Sequence, residues 1–173
     1  MMFNLHHPLN LEVIGAEAQH DNMQSAAYRV IWGFLRKCPA SKVRFCIFDP
    51  KEGGGSVRML SNFVNKMPDS YKRAVTQMSR TEELLSCLKA LEGQTLDFIR
   101  DRPDYDDLLD YNAHNPRRTE AITLLMLYDF PLNADARCLE LLSSVMQKGN
   151  RCGIYVVLCR NTAVEVASSY DHI

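Results

Sequence analysis

Along the chain, short apolar runs alternate with stretches in which apolar residues return every three or four positions. Leu11-Glu12-Val13-Ile14-Gly15 reads as a short strand halted by glycine. From Asn22 to Lys37, the residues Ala26, Ala27, Val30, Ile31, Phe34 and Leu35 mark the inner face of a helix, with Trp32 expected on the same packing face. Val43 to Phe48 is β-branched and aromatic and stops at Asp49-Pro50-Lys51, because proline cannot donate to a ladder. Gly53, Gly54 and Gly55 then predict a flexible loop, and Met59 to Val64 a short helical turn. Asp69 to Arg100 reads as helix-rich, with Leu84, Leu85, Leu88 and Leu91 on one face, extending to Leu96 and Ile99, and an interruption or cap near Gly93. Asp101 to Asp110 predicts a turn and a short helix. Ala121 to Tyr128 is continuously apolar and closes on Asp129-Phe130-Pro131, the pattern of a central strand buried on both faces of a parallel sheet. An amphipathic helix over Ala136 to Lys148 ends at Gly149, and Ile154 to Cys159 is another buried strand. Strands alternating with helices predict an α/β fold with a doubly wound, mainly parallel sheet flanked by helices. Ligands of such sheets bind at the carboxyl ends of the strands, which directs attention to Gly15 onward, Asp49 to Lys51, Asp129, and Arg160 to Thr162.

Composition narrows the classes. A chain of 173 residues, 46% hydrophobic and 24% charged, suits one globular domain over 1–173 and lacks the apolar run of about 18 residues that a membrane span needs. A net charge of -1 gives no overall electrostatic case for nucleic acid, so any such contact must be a local patch. Six cysteines without C-x-x-C spacing read as reduced core residues, and the N-terminus lacks the basic start and apolar stretch of a secretory signal, which makes the cytoplasm the expected compartment. The adjacent His6 and His7 read as surface residues, with no metal site expected. Tyr111, Tyr128 and Tyr155 read as core or strand-edge residues, and the five histidines form no Ser-His-Asp pattern.

Four segments in order carry a resemblance. VRFCIFDPKEGG (Val43 to Gly54) resembles the strand ending in Asp-Pro-Lys of the FtsK/SpoIIIE family of P-loop motor ATPases, which includes type VII secretion relatives of the EccC kind. DLLDYNAHNP (Asp107 to Pro116) is similar to the family's Tyr-Asn segment, and TLLMLYDFP to its Walker B strand, here 121–129. QKGNRCGIYVVLCRNTAVEV (Gln147 to Val166) is similar to the family's Gly-Ile strand, its Thr-Gln-Arg-Pro segment and the Val-Asp-Val run after it. The resemblance covers Leu11 to about Val166 and implies a P-loop NTPase architecture; relatives continue with further sheet, so a truncated C-terminal end is one reading.

The departures from that family are chemical. A working phosphate loop, G-x-x-x-x-G-K-[ST], uses glycine backbone N–H groups, a lysine and a magnesium-binding hydroxyl. Here the turn 15–25 reads GAEAQHDNMQS: Gly15 survives, Ser25 is the candidate hydroxyl, no lysine occurs between Gly15 and Lys37, and Glu17 and Asp21 bring carboxylates to a helix start that should receive an anion. At the Walker B end two alignments stay open: Tyr128 falls on the magnesium aspartate with Asp129 as second acid, or Asp129 is that aspartate and Phe130 replaces the catalytic acid. Asn161 takes the place of the sensor-like glutamine, and Thr162 and Ala163 replace arginine and proline. Lys51 is a loop lysine that could meet a phosphate, while Arg117, Arg118, Arg151 and Arg160 are candidate contacts for DNA, another subunit or a neighbour's nucleotide.

The resemblance therefore implies a degenerate ATPase domain, a structural or regulatory module of a larger DNA translocase or secretion motor without its own hydrolysis. No cofactor is expected; ATP and Mg²⁺ enter only if another chain completes the site, which is the active-translocase alternative. A third alternative is a module that binds a secreted or regulatory peptide in the empty cleft. Exposed apolar residues around the cleft favour peptide, and a ring of Arg117, Arg118 and Arg151 favours DNA.

Overall fold

Five parallel strands lie in the order β1-β5-β4-β2-β3: β1 Leu11–Gly15, β2 Val43–Phe48, β3 Val75–Met78, β4 Ile122–Phe130 and β5 Ile154–Asn161. The computed structural model describes residues 10–15, 20–50 and 65–163, with side chains at all of these except 20, 21, 23, 24 and 27. The expectations for His6, His7, Glu17, Lys51, the glycines 53–55, the turn over 59–64 and the Val-Glu-Val run fall outside the described residues.

The helices are α1 His20–Lys37, α2 Asp69–Lys72, α3 Thr81–Asp101, α4 Leu108–His114 and α5 Ala136–Lys148, with 3-10 turns at Ala40–Lys42 and Gly149–Cys152. The two faces of the sheet are covered by different helices. Tyr155 of β5 meets Phe34 of α1, with ring centroids 5.9 Å apart, whereas its neighbour Ile154 packs on Gly149 below α5, and α5 packs in turn on α3. This division follows from handedness: a right-handed crossover moving one way along the sheet places its helix on one face, and one moving back places it on the other. α1 links β1 to β2 in the first direction, and α5 links β4 to β5 in the second.

Every residue of β4 is buried, as its unbroken apolar run requires of a central strand. Helix starts are fixed by side chains: Asp107 accepts from the Asp110 N–H and Asp135 from the Cys138 N–H, both at 2.8 Å. At α3, Glu83 accepts from the backbone N–H groups of Ser79 and Arg80.

Three local expectations are corrected. The helix-rich stretch from Asp69 contains β3, an edge strand of only four residues whose Thr76 and Gln77 are exposed and so give no apolar pattern. α3 runs through Gly93 unbroken, because one glycine lowers helix stability without removing a hydrogen bond. Trp32 is 55% exposed on the outer face of α1, and Leu96 is likewise exposed, at 51%, on α3.

Candidate functional site

Because the connections leaving β1 and β4 go to opposite faces, the carboxyl ends of β1, β5 and β4 open on a crevice at the reversal point. Gly15, Asn161 and Asp129 stand there side by side. Gly15 pairs in register with Asn161, and its carbonyl accepts from the Thr162 N–H at 3.1 Å. Asn161 donates through Nδ2 to Asp129 Oδ1 at 3.1 Å, while its own Oδ1 accepts from the Ala163 N–H at 2.9 Å. Asp129 and Asn161 are 1% and 2% exposed.

Asp129 reaches this position through a break in the ladder. The β4–β5 register shifts between Leu127 and Phe130, and Asp129 adopts φ 48°, in the left-handed region that aspartate tolerates better than most residues. Tyr128 lies instead on the α1 side, close enough to Tyr28, Cys159 and Asp49 for each to raise its phenol pKa after burial itself. The carboxylate that ends β4 beside Asn161 is thus that of Asp129. The next position is Phe130, a fully buried core side chain.

Asp49, at the end of β2, is 4% exposed and joins a layer of buried polar groups under the crevice. Burial, then the charge of Asp49, pushes Tyr28 up to about 12, and burial, then Asp129 and Asp49, pushes Cys159 up to about 12. On the same face at the amino end of β5, burial, then Asp107, pushes Tyr155 up to about 12. The unfolded chain ionises its tyrosines near pH 10, so these raised values contribute stability that is complete below pH 10 and lost as pH rises towards 12. Alkaline titration should therefore show the last part of the tyrosinate absorbance rising together with loss of circular dichroism between pH 10 and 12; ionisation of all seven tyrosines near pH 10 in a folded protein would contradict it.

The arginines do not gather at this crevice. Arg117 and Arg118 are exposed in the turn preceding β4, at the amino end of the sheet. Arg151, at the same end, donates to the carbonyls of Asp106 and Tyr105 at 3.2 and 3.4 Å. The Tyr-Asn segment is a clasp there: Arg102 lies 4.2 Å over the Tyr111 ring and ion-pairs with Glu120, and Asn112 donates to the Glu120 carbonyl at 3.0 Å and accepts from its N–H at 2.7 Å. Arg160 is the one arginine of the four at the carboxyl end, 3.6 Å from Glu12. Arg117, Arg118 and Arg151 therefore form no ring around the cleft, since they lie at the amino end of the sheet and Asp129 at its carboxyl end. Among the described residues no group of three or more potential metal ligands occurs, and no helix is long and apolar enough to cross a membrane.

Solved structures share this fold. The pCW3 conjugation coupling protein TcpA, a monomer form with ATPγS, superposes with a TM-score of 0.69 at 11% identity, over 98% of this chain and 48% of that one. The fold is that of an ATPase domain with a parallel α/β sheet, shared with this coupling protein and with EssC. EssC (ATPases 2 and 3) from Geobacillus thermodenitrificans gives 0.65 at 12% identity, over 97% of this chain and 31% of that one. Thermomonospora curvata EccC (ATPases 2 and 3), in complex with a signal sequence peptide, gives 0.61 at 13% identity, over 89% and 25%. The chain spans about half or less of the length of these structures. No family model matches it, and no curated protein matches it.

Counted from Gly15, the phosphate motif G-x-x-x-x-G-K-[ST] puts His20 on the second glycine, Asp21 on the lysine and Asn22 on the hydroxyl residue. Ser25, three residues farther on, is exposed on α1.

Proposed function

We propose that this chain is a degenerate FtsK/SpoIIIE-like ATPase domain that serves as a structural or regulatory module of a larger DNA-translocating or secreting motor and does not hydrolyse ATP itself. The observation that carries the reading is the end of β4: Asp129 is buried and engaged by Asn161, and the following residue is a buried phenylalanine. Phosphoryl transfer depends on positioned positive charge and on a group that orients the nucleophile. This crevice supplies one carboxylate beside an amide, an aspartate in place of the loop lysine and no second acid after Asp129. The residues do not fit Mg²⁺-ATP, because the sequence after Gly15 brings the carboxylates Glu17 and Asp21 and no lysine before Lys37 to balance phosphate charge. Phosphate release from ATP should equal a protein-free blank, with Asp129→Asn indistinguishable from the parent protein. Release above the blank that Asp129→Asn abolishes would overturn the reading and favour a site completed by another chain.

A second reading, a module that binds a partner peptide, draws support from Ile14, which is 56% exposed at the carboxyl end of β1 beside the crevice. The placement of Arg117, Arg118 and Arg151 at the other end of the sheet weighs against DNA in the crevice. Binding that weakens steeply with salt would argue for DNA, because phosphate contacts release counterions.

A further inference from the structure

Outside the crevice, the groove between β2 and α3 holds two cysteines. It has a volume of about 660 Å³, and its walls include Arg44, Cys46, Glu83, Cys87, Gln94 and Thr123. Cys46 alternates with the buried Phe45 and Ile47 along β2, so its thiol projects to the α3 side of the sheet. Cys87 comes from α3 opposite and lines the same groove, near enough that each thiol shifts the pKa of the other. Both are half-buried and neither is in a disulfide, whereas Cys38, Cys138, Cys152 and Cys159 are free and buried. Two neighbouring thiols facing one open groove have both the proximity and the access that thiol–disulfide exchange needs.

We propose that Cys46 and Cys87 form a dithiol modification site that reacts with small-molecule disulfides and closes to an intramolecular disulfide tying β2 to α3. The Cys46 thiolate attacks one sulfur of the small disulfide, forming a mixed disulfide and expelling the other sulfur as a thiolate with the bonding pair. Cys87, once deprotonated, attacks the Cys46 sulfur, forms the Cys46–Cys87 bond and expels the second small thiolate. The protein loses two protons and two electrons, and the small disulfide gains the electrons as two thiolates, which take up protons from solvent according to pH. The order follows from the surroundings: Cys87 lowers the Cys46 pKa, with Arg44 adding to it against burial, while Cys46 raises that of Cys87. Conversion of Cys46 to a mixed disulfide removes that restraint on Cys87.

The test treats the folded protein with glutathione disulfide, blocks remaining thiols with iodoacetamide after denaturation, and maps peptides by mass spectrometry. The expected product is a Cys46–Cys87 linked peptide, with the other four cysteines alkylated. Cys87→Ser should stop at a glutathione adduct on Cys46. As a readout that needs no variant, phenylarsine oxide, which bridges paired thiols, should remove two free thiols per chain and prevent formation of the linked peptide. Stable glutathione adducts on the unaltered protein, unmodified Cys46 and Cys87, or linkage spread over other cysteines, in protein of unchanged circular dichroism, would overturn the proposal.

Discussion

Phe130→Glu is expected to destabilise the protein by about 4 kcal/mol or more, a large part of the roughly 5–15 kcal/mol that holds a typical domain together. The substitution places an acid directly after Asp129, the position where the sequence of an active site would have one. Phe130 is 2% exposed and among the largest fully buried side chains. Removing its ring alone should cost about 3–5 kcal/mol, and a carboxylate in the same place must either stay charged without water or take up a proton. Its register partner on β5, Arg160, is already engaged with Glu12 at 3.6 Å, so no ready cation waits there. Urea denaturation measures the effect. Phe130→Leu, which changes volume without introducing charge, should cost clearly less. An unchanged midpoint for Phe130→Glu would mean that the end of β4 tolerates an acid, and the case for a lost catalytic position would fall with it.

Gly153→Ala and Gly93→Ala should move stability in opposite directions. Gly153 sits at the turn into β5 with φ 74°, and a Cβ there would come within 2.3 Å of Leu108 Cδ2. Leu108 is 1% exposed, so its methyl has little room to retreat. The left-handed backbone costs an alanine about 1–2 kcal/mol, and overpacking about 1–3 kcal/mol more, a total of about 2–5 kcal/mol. The same turn is held by two backbone bonds, Gly153 N–H to the Asn150 carbonyl at 3.1 Å and Thr123 N–H to the Gly153 carbonyl at 2.9 Å, so strain there reaches the amino ends of both β4 and β5. Gly93 lies inside α3 with nothing within 4 Å of a Cβ, and alanine there should add about 1 kcal/mol by helix propensity. Thermal unfolding of the two variants side by side checks both signs; equal or reversed shifts would contradict the placement of these glycines.

β4 and β5 were legible because burial on both faces leaves long apolar runs, and β2 because its β-branched and aromatic residues stop at a proline, although Arg44 within it is exposed. β3 was not, since an edge strand with exposed Thr76 and Gln77 carries too few apolar positions to announce itself. Trp32 was misplaced because an aromatic residue inside a helical pattern suggests burial, while the surrounding period turns that position outward. At the site, Asp129 and Asn161 could each be named from their places at strand ends. Their pairing could not, as it depends on β4 and β5 being neighbours and on the shifted register that turns Asp129 towards Asn161. The choice between Tyr128 and Asp129 likewise needed the local backbone, because a one-residue shift exchanges the faces to which side chains point. The separation of the arginines was hidden for a related reason: Arg117 and Arg118 precede β4 and Arg160 lies near the far end of β5, so the sequence alone did not say which end of the sheet each occupies.

Calorimetric titration of the folded protein with Mg²⁺-ATP and Mg²⁺-ADP tests the central claim most directly, because hydrolysis, regulation and scaffolding all divide on whether the turn after Gly15 holds phosphates. The account predicts no binding heat for either nucleotide and no accompanying shift in thermal unfolding. Saturable binding of micromolar strength, accompanied by a rise in the unfolding temperature, would contradict it and would mean that other groups of this chain balance the charge its missing lysine leaves exposed.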